Sequence, residues 1–289
     1  MLILSETHHS GWDERGCGAG CSLPLTRNSY ATPRRGRTWA DLISFCCVTE
    51  LAAAVTNNGG LGVIGGVGYT PEFLREAIQE VRCAVNSHCR TVALLTPMLV
   101  QLKGFLHDKS APFGVDLLLP KVGDGARATN KDYTEGQLPA LIDIIIEEKA
   151  ALFVCAVGVP PKFVVEKLHA AGIPVMNMIG APKHVPKALA VGCDIICAQG
   201  GEGGGHTGEV ATSILIPKVV DICKGKASPL TGRPVAVVAA GGIYDGRGLA
   251  MALSLGADAV WVGTRFVASR SVVERTAVTP STSSRPRPA

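Results

Sequence analysis

Aromatic side chains are scarce in this sequence, 5% of 289 residues, and charged ones make up only 18%. A nucleic-acid surface, which needs basic stripes interleaved with aromatics, is therefore excluded as an expectation. The net charge of +4 is small, and part of the basic excess lies in "TPRRGR" (Thr32–Arg37) and "SSRPRPA" (Ser283–Ala289), which read as solvated tails. Long apolar runs are also missing. None approaches the roughly 20 residues that cross a bilayer, so no membrane partner is expected. The start "MLILSETHHSGWDERG" has a short apolar stretch but no basic leader region and no long hydrophobic one, so it does not read as a signal peptide.

Cysteine is too sparse, ten in 289 residues, for a disulfide scaffold. Cys155, Cys197 and Cys223 sit inside apolar runs and read as small buried hydrophobes. Cys17 and Cys21 in "CGAGC" have no second pair or histidine at finger spacing, so no metal site is expected. A reducing, cytoplasmic compartment is the default, with an organelle left open.

What is present is apolar material: 47% hydrophobic residues and a mean hydropathy of +0.27. Strands buried on both faces account for that richness. From about Val48 onward, short β-branched apolar runs alternate with helical patterns. "GLGVIGG", "FGVDLLLP", "ALFVCAV", "IPVMNMI", "CDIICAQG", "PVAVVAAGG" and "DAVWVGTRF" read as strands. Between them run helical stretches such as "TPEFLREAIQEV", with Thr70 as N-cap and Pro71 at its first position. Strict alternation argues for a parallel sheet, and glycine-rich strand ends at several strands point to the C-terminal mouth of a (β/α)₈ TIM barrel rather than a single phosphate loop.

Three zones stand outside the alternation: an irregular segment 1–47, in which "ADLISFCC" could supply a strand, an insertion at about 82–101, and a tail at 269–289 with the composition of a disordered segment. The barrel domain is accordingly placed at 48–268 and expected to be incomplete at its first strand and last helix.

The run "CAQGGEGGGHTGEV" holds six glycines between Gly200 and Gly208 and one histidine, His206. Glycines at a strand end let backbone approach a bulky ligand, and an imidazole with an ordinary pKa of about 6.5 suits proton abstraction from a weakly acidic carbon. "VVAAGGIYDGRGLA" and "VWVGTRF" place Gly241, Gly242, Gly263 and Thr264 at two late strand ends, where barrels often bind phosphate on backbone amides. Asp116 interrupts an apolar strand, so its carboxylate needs either a polar mouth or hydrogen bonds. Lys121 and Gln199 occupy comparable strand ends, and Asn57-Asn58 reads as a cap on the preceding helix.

With those residues in place, "AAAVTNNGGLGVIGGVGYTPEFLRE", "APFGVDLLLPKVG", "NKDYTEGQL", "CAVGVPPKFVVEKLHAAGIPVMNMIGAPKHV", "DIICAQGGEGGGHTGEV" and "VVAAGGIYDGRGLAMALSLGADAVWVGTRF" resemble, in order, segments of the nitronate monooxygenases, formerly called 2-nitropropane dioxygenases. The resemblance implies a TIM barrel that holds FMN and oxidises alkyl nitronates with O₂ to a carbonyl compound and nitrite. It implies His206 as catalytic base, and Asp116 (often Asn in the family), Gln199, Gly204, Gly242, Gly263 and Thr264 as flavin contacts, beside the Gly241 read above at the same strand end. A homodimer is compatible with it. An FMN-dependent enoyl-thioester reductase and a catalytically inactive truncated homologue are the alternative readings. The family's opening strand is replaced by "LISFCCVTELAAAV", residues near 82–101 separate segments that otherwise join, and the tail is unrelated. Those departures are expected to come from unspliced or mispredicted gene sequence.

Overall fold

The computed structural model describes residues 2–5, 49–82, 110–119 and 132–267. Their elements run β1 (Leu2–Ser5), α1 (Thr49–Asn57), β2 (Gly62–Gly65), α2 (Pro71–Arg82), β3 (Phe113–Leu118), α3 (Leu138–Glu147), β4 (Leu152–Ala156), α4 (Lys162–Ala170), β5 (Val175–Ile179), α5 (Val185–Val191), β6 (Ile195–Gln199), α6 (Thr212–Cys223), β7 (Ala236–Ala240), α7 (Gly246–Ser254), β8 (Ala259–Val262) and α8 (Thr264–Val267). A 3₁₀ turn, Pro182–His184, precedes α5.

Seven parallel strands, β2 to β8 in chain order, curl into half a barrel with helices between them. The expected TIM-type α/β architecture, incomplete as a barrel, is therefore what forms. The eighth strand differs from the sequence reading, which left residues 1–47 irregular. Leu2–Ser5 pairs antiparallel with β8, so it lengthens the sheet without supplying a parallel barrel strand. A run of four apolar or small residues extends on any open strand edge, and β8 offers one. "ADLISFCC", Lys121, the insertion beyond Arg82 and the tail 269–289 lie outside the described residues.

Alternation along the strands makes two apolar layers. Ile64, Phe113, Val115, Leu117, Phe153, Val175, Ile196, Ala198 and Val260 pack outward under the helices. Val63, Val154, Met176, Cys197, Val238 and Trp261 fill the concave inner face. The helices meet the outer layer through one stripe each. In α2, Leu74, Ala77 and Ile78 are buried at the i, i+3, i+4 spacing, and full burial of each larger side chain is worth about 1.5–3 kcal/mol. Phe73 N–H donates to Thr70 Oγ1 at 3.3 Å, the cap expected for α2, and Asn58 Nδ2 donates to Ala54 O at 2.7 Å, closing the end of α1. Cys155, Cys197 and Cys223 are buried, as expected of small hydrophobes.

At the N-terminal ends of the strands, Asp194 ties the floor together. Its carboxylate accepts from Ser228 Oγ at 2.6 Å and Val175 N–H at 2.9 Å, and lies 2.8 Å from His169 Nε2. This face carries stability, which leaves the C-terminal ends for chemistry.

Candidate active site

At the opposite end, the loop after β6 is shaped by what glycine permits. A Cβ on Gly208 would lie 2.1 Å from Gly180 O, and one on Gly200 would lie 2.0 Å from Thr212 Oγ1. The loop is thus packed backbone to backbone against the β5 turn on one side and the start of α6 on the other. Gln199 braces it from below, with Nε2 donating to Gly204 O at 3.4 Å.

His206 is exposed on this loop. Its Nε2 lies 3.4 Å from Tyr133 Oη, with the two rings edge to face at 6.1 Å. Tyr133 comes from the segment before α3, where Asp132 folds an Asx turn: Oδ1 accepts from Thr134 N–H at 2.8 Å and from Thr134 Oγ1 at 2.7 Å, and Oδ2 accepts from Gly136 N–H at 2.9 Å. Burial raises the Asp132 pKa, but these donors outweigh it and hold the carboxyl below its ordinary value. The sequence reading gave Tyr133 no role, because nothing local marks it.

Asp116 lies on the inner face of β3, between the outward-pointing Val115 and Leu117. It is 8% exposed, and its Oδ1 has no hydrogen-bond partner among the described residues. Burial pushes its pKa up to about 7. Cys197 faces it across the concave layer; burial and then the Asp116 charge push that thiol's pKa far above its ordinary range. Asp116 thus points to the inner face, with Oδ1 lacking a hydrogen-bond partner among the described residues.

Gly241 and Gly242 follow β7 with φ of +96° and +69°, a left-handed pair that residues with a Cβ rarely adopt. A Cβ on Gly241 would sit 2.9 Å from Gly200 O, and one on Gly242 would sit 3.2 Å from Glu202 Cβ, so the β7 turn and the histidine loop touch. Gly263 and Thr264 lie beside them at the end of β8. Here the strand stops at Val262 and the "TRF" read as strand turns helical, with Phe266 N–H donating to Gly263 O at 2.8 Å. The structure thus gathers His206, Gln199, Gly204, Gly241, Gly242, Gly263 and Thr264 on three neighbouring strand ends, with Asp116 on the inner wall below the mouth.

Comparison with known proteins identifies the arrangement. The family model described as nitronate monooxygenase matches residues 39–279. The chain belongs to the nitronate monooxygenase family. This is a family of flavin-dependent oxidoreductases. The chain is similar to a nitronate monooxygenase of Pseudomonas aeruginosa, at 36% identity over 75% of this chain and 62% of that one. It is equally similar to the Rhodococcus jostii (3aS,4S,5R,7aS)-5-hydroxy-7a-methyl-1-oxo-octahydro-1H-indene-4-carboxyl-CoA dehydrogenase, at 37% identity over 75% of this chain and 48% of that one. Among solved structures, FabK from Thermotoga maritima superposes with a TM-score of 0.57 at 33% identity, covering 77% of this chain and 56% of that one. The chain spans about half to three-fifths of the length of the curated relatives it matches. No helix among the described residues is long and apolar enough to cross a membrane.

The residues present fit a flavin. Asp116 offers a buried carboxyl oxygen, Oδ1, with no partner among the described residues, and the Gly241–Gly242 turn exposes backbone that a Cβ would crowd.

Proposed function

We propose that this nitronate monooxygenase family member is an FMN-dependent enzyme that oxidises alkyl nitronates with O₂ to a carbonyl compound and nitrite, with His206 as general base for neutral nitroalkanes. The observation that carries the reading is an exposed imidazole on a glycine-rich loop at the end of β6, in a sheet whose inner face buries Asp116 with an Oδ1 that has no partner among the described residues. FMN, when bound, supplies the electron acceptor and the means of passing electrons to O₂.

The rest of the chemistry belongs to the chain. Asp116, Gln199 and Gly204 would hold the ring system, and Gly241, Gly242, Gly263 and Thr264 the phosphate. The carbon acid approaches His206 unhindered because Gly203, Gly204 and Gly205 carry no side chains. In the tautomer that donates Nε2–H to Tyr133 Oη, Nδ1 keeps the lone pair that removes the substrate's α-proton, leaving imidazolium and nitronate. Imidazolium then returns its proton to solvent through the open mouth.

Purified protein is expected to be yellow and to consume O₂ with an alkyl nitronate. His206→Asn should abolish turnover of neutral nitroalkanes while sparing preformed nitronates. Equal loss on both substrates would remove His206 as the base. A second reading, a flavin oxidoreductase acting on acyl thioesters, is supported by the 37% identity to the CoA dehydrogenase and by the FabK likeness. Rapid flavin reduction by NAD(P)H, with no nitronate turnover, would favour it.

A further inference from the structure

Of the two carboxylates in the histidine loop, Glu202 and Glu209, Glu202 turns back onto the start of α6. It accepts Thr212 N–H at 2.9 and 3.1 Å and the Thr212 hydroxyl at 2.8 Å. Helix α6 has no cap of its own, because the residue at its N-cap is Ala211. Glu202, ten residues upstream, supplies the missing acceptor and a negative charge at the positive end of the helix. Burial raises the pKa of Glu202, but the Thr212 donors outweigh it and hold the carboxyl below its ordinary value, so it is ionised at neutral pH.

Thr212 does more than receive this cap. It is 4% exposed, and its hydroxyl also lies 3.0 Å from Gly241 O. One hydroxyl proton therefore sits between the histidine loop and the β7 turn. The surrounding glycines make room for it: a Cβ on Gly200 or Gly241 would fall 2.0 or 3.1 Å from Thr212 Oγ1. Between Glu202 and His206 stand three glycines, which transmit position only if both ends of the loop are held. Glu202 holds one end, and the Gly208–Gly180 contact holds the other.

We propose that Glu202 and Thr212 are positioning residues that lock the His206 loop and the Gly241–Gly242 turn into one register, so that the base and the phosphate-binding turn serve the same bound substrate and cofactor. This deepens the function proposed above and rests on it for the substrate.

The test uses the full chain with FMN and compares Glu202→Ala, Glu202→Gln, Thr212→Val and Thr212→Ser. Three quantities are read: the FMN dissociation constant, the ratio of kcat/KM for neutral nitroethane to that for preformed ethylnitronate, and the rate at which diethylpyrocarbonate modifies His206. Thr212→Val should weaken FMN binding and lower the ratio, each by about tenfold, because it removes the hydroxyl that reaches both Glu202 and Gly241 while keeping the backbone N–H bond to Glu202; Thr212→Ser should restore both. Glu202→Ala should lower the ratio by a similar factor, change the modification rate of His206 and weaken FMN less. Glu202→Gln should fall between, since its amide keeps one acceptor oxygen. If Thr212→Val does not fold, the Glu202 pair carries the test. Folded variants that only melt at lower temperature, with all three quantities as in the wild type, would overturn the proposal and leave Glu202 a helix cap. If the wild type turns over neither substrate, the function reading fails. The FMN affinity and the His206 modification rate then decide the positioning roles, and unchanged values in Thr212→Val and Glu202→Ala would overturn them.

Discussion

Tyr133 Oη lies 3.4 Å from His206 Nε2, although 73 residues separate them in the chain. The contact joins the segment before α3 to the loop after β6, and it gives an otherwise unsupported imidazole a defined neighbour. Tyr133→Phe keeps the ring and deletes only the hydroxyl. Proton abstraction from neutral nitroalkanes should fall by about tenfold, a loss typical for one orienting hydrogen bond, while preformed nitronates are oxidised at near wild-type rate. Steady-state kinetics on both substrate forms read the difference.

Asp116 makes stability depend on pH. Burial raises its pKa in the folded protein to about 7. In the unfolded chain the carboxyl ionises near its ordinary value of about 3.9. Between those limits the native state holds a proton that the unfolded state releases, so the contribution of this group to stability is fully present below about pH 4 and is lost as pH rises through about 7. Asp116→Asn removes the titration. The flavin-free variant should match the wild type near pH 4 and exceed it at pH 7, by on the order of a few kcal/mol. Urea unfolding of the flavin-free protein across that window measures it, and parallel curves for the two proteins would refute it.

Val157, just after β4, is held at φ 68°, a conformation that costs a β-branched residue about 1–2 kcal/mol. Asn177 secures the turn, its Nδ2 donating to Gly158 O at 2.6 Å and to Cys155 O at 3.0 Å. Ordinary positions lose more stability to glycine than to alanine. Here the order should reverse, with Val157→Gly more stable than Val157→Ala by about 1 kcal/mol. Thermal melts of the two variants give the sign directly.

Gly208 is a steric requirement rather than a flexible link. A Cβ there would lie 2.1 Å from Gly180 O, which belongs to backbone that cannot step aside cheaply. Gly208→Ala should cost about 1–3 kcal/mol and displace His206, lowering turnover more than a mutation of equal thermal cost on the floor. Melting temperature and kcat, measured together, check this.

Much of the barrel could be read from residue order alone. The stretches "IPVMNMI" and "CDIICAQG" are apolar throughout because both faces of their strands are covered, and Val175–Ile179 and Ile195–Gln199 form where expected. Strand ends were less legible. "DAVWVGTRF" continues its β-favouring composition past Val262, yet the chain turns helical at Thr264 once Gly263 breaks the ladder. The antiparallel pairing of Leu2–Ser5 with β8 had no local signal, because three apolar residues and a serine suit a helix or a strand equally.

Composition and periodicity by themselves determined the alternating α/β architecture, the glycine-rich strand ends and the candidacy of His206, because each depends on backbone sterics and side-chain spacing within a few residues. Tertiary structure alone decided that Asp116 points inward with an Oδ1 unpartnered among the described residues, that Tyr133 reaches His206, and that Glu202 and Thr212 join two loops. Those relationships exist only where strands distant in sequence become neighbours in the curled sheet, and no local pattern encodes which side chains then meet.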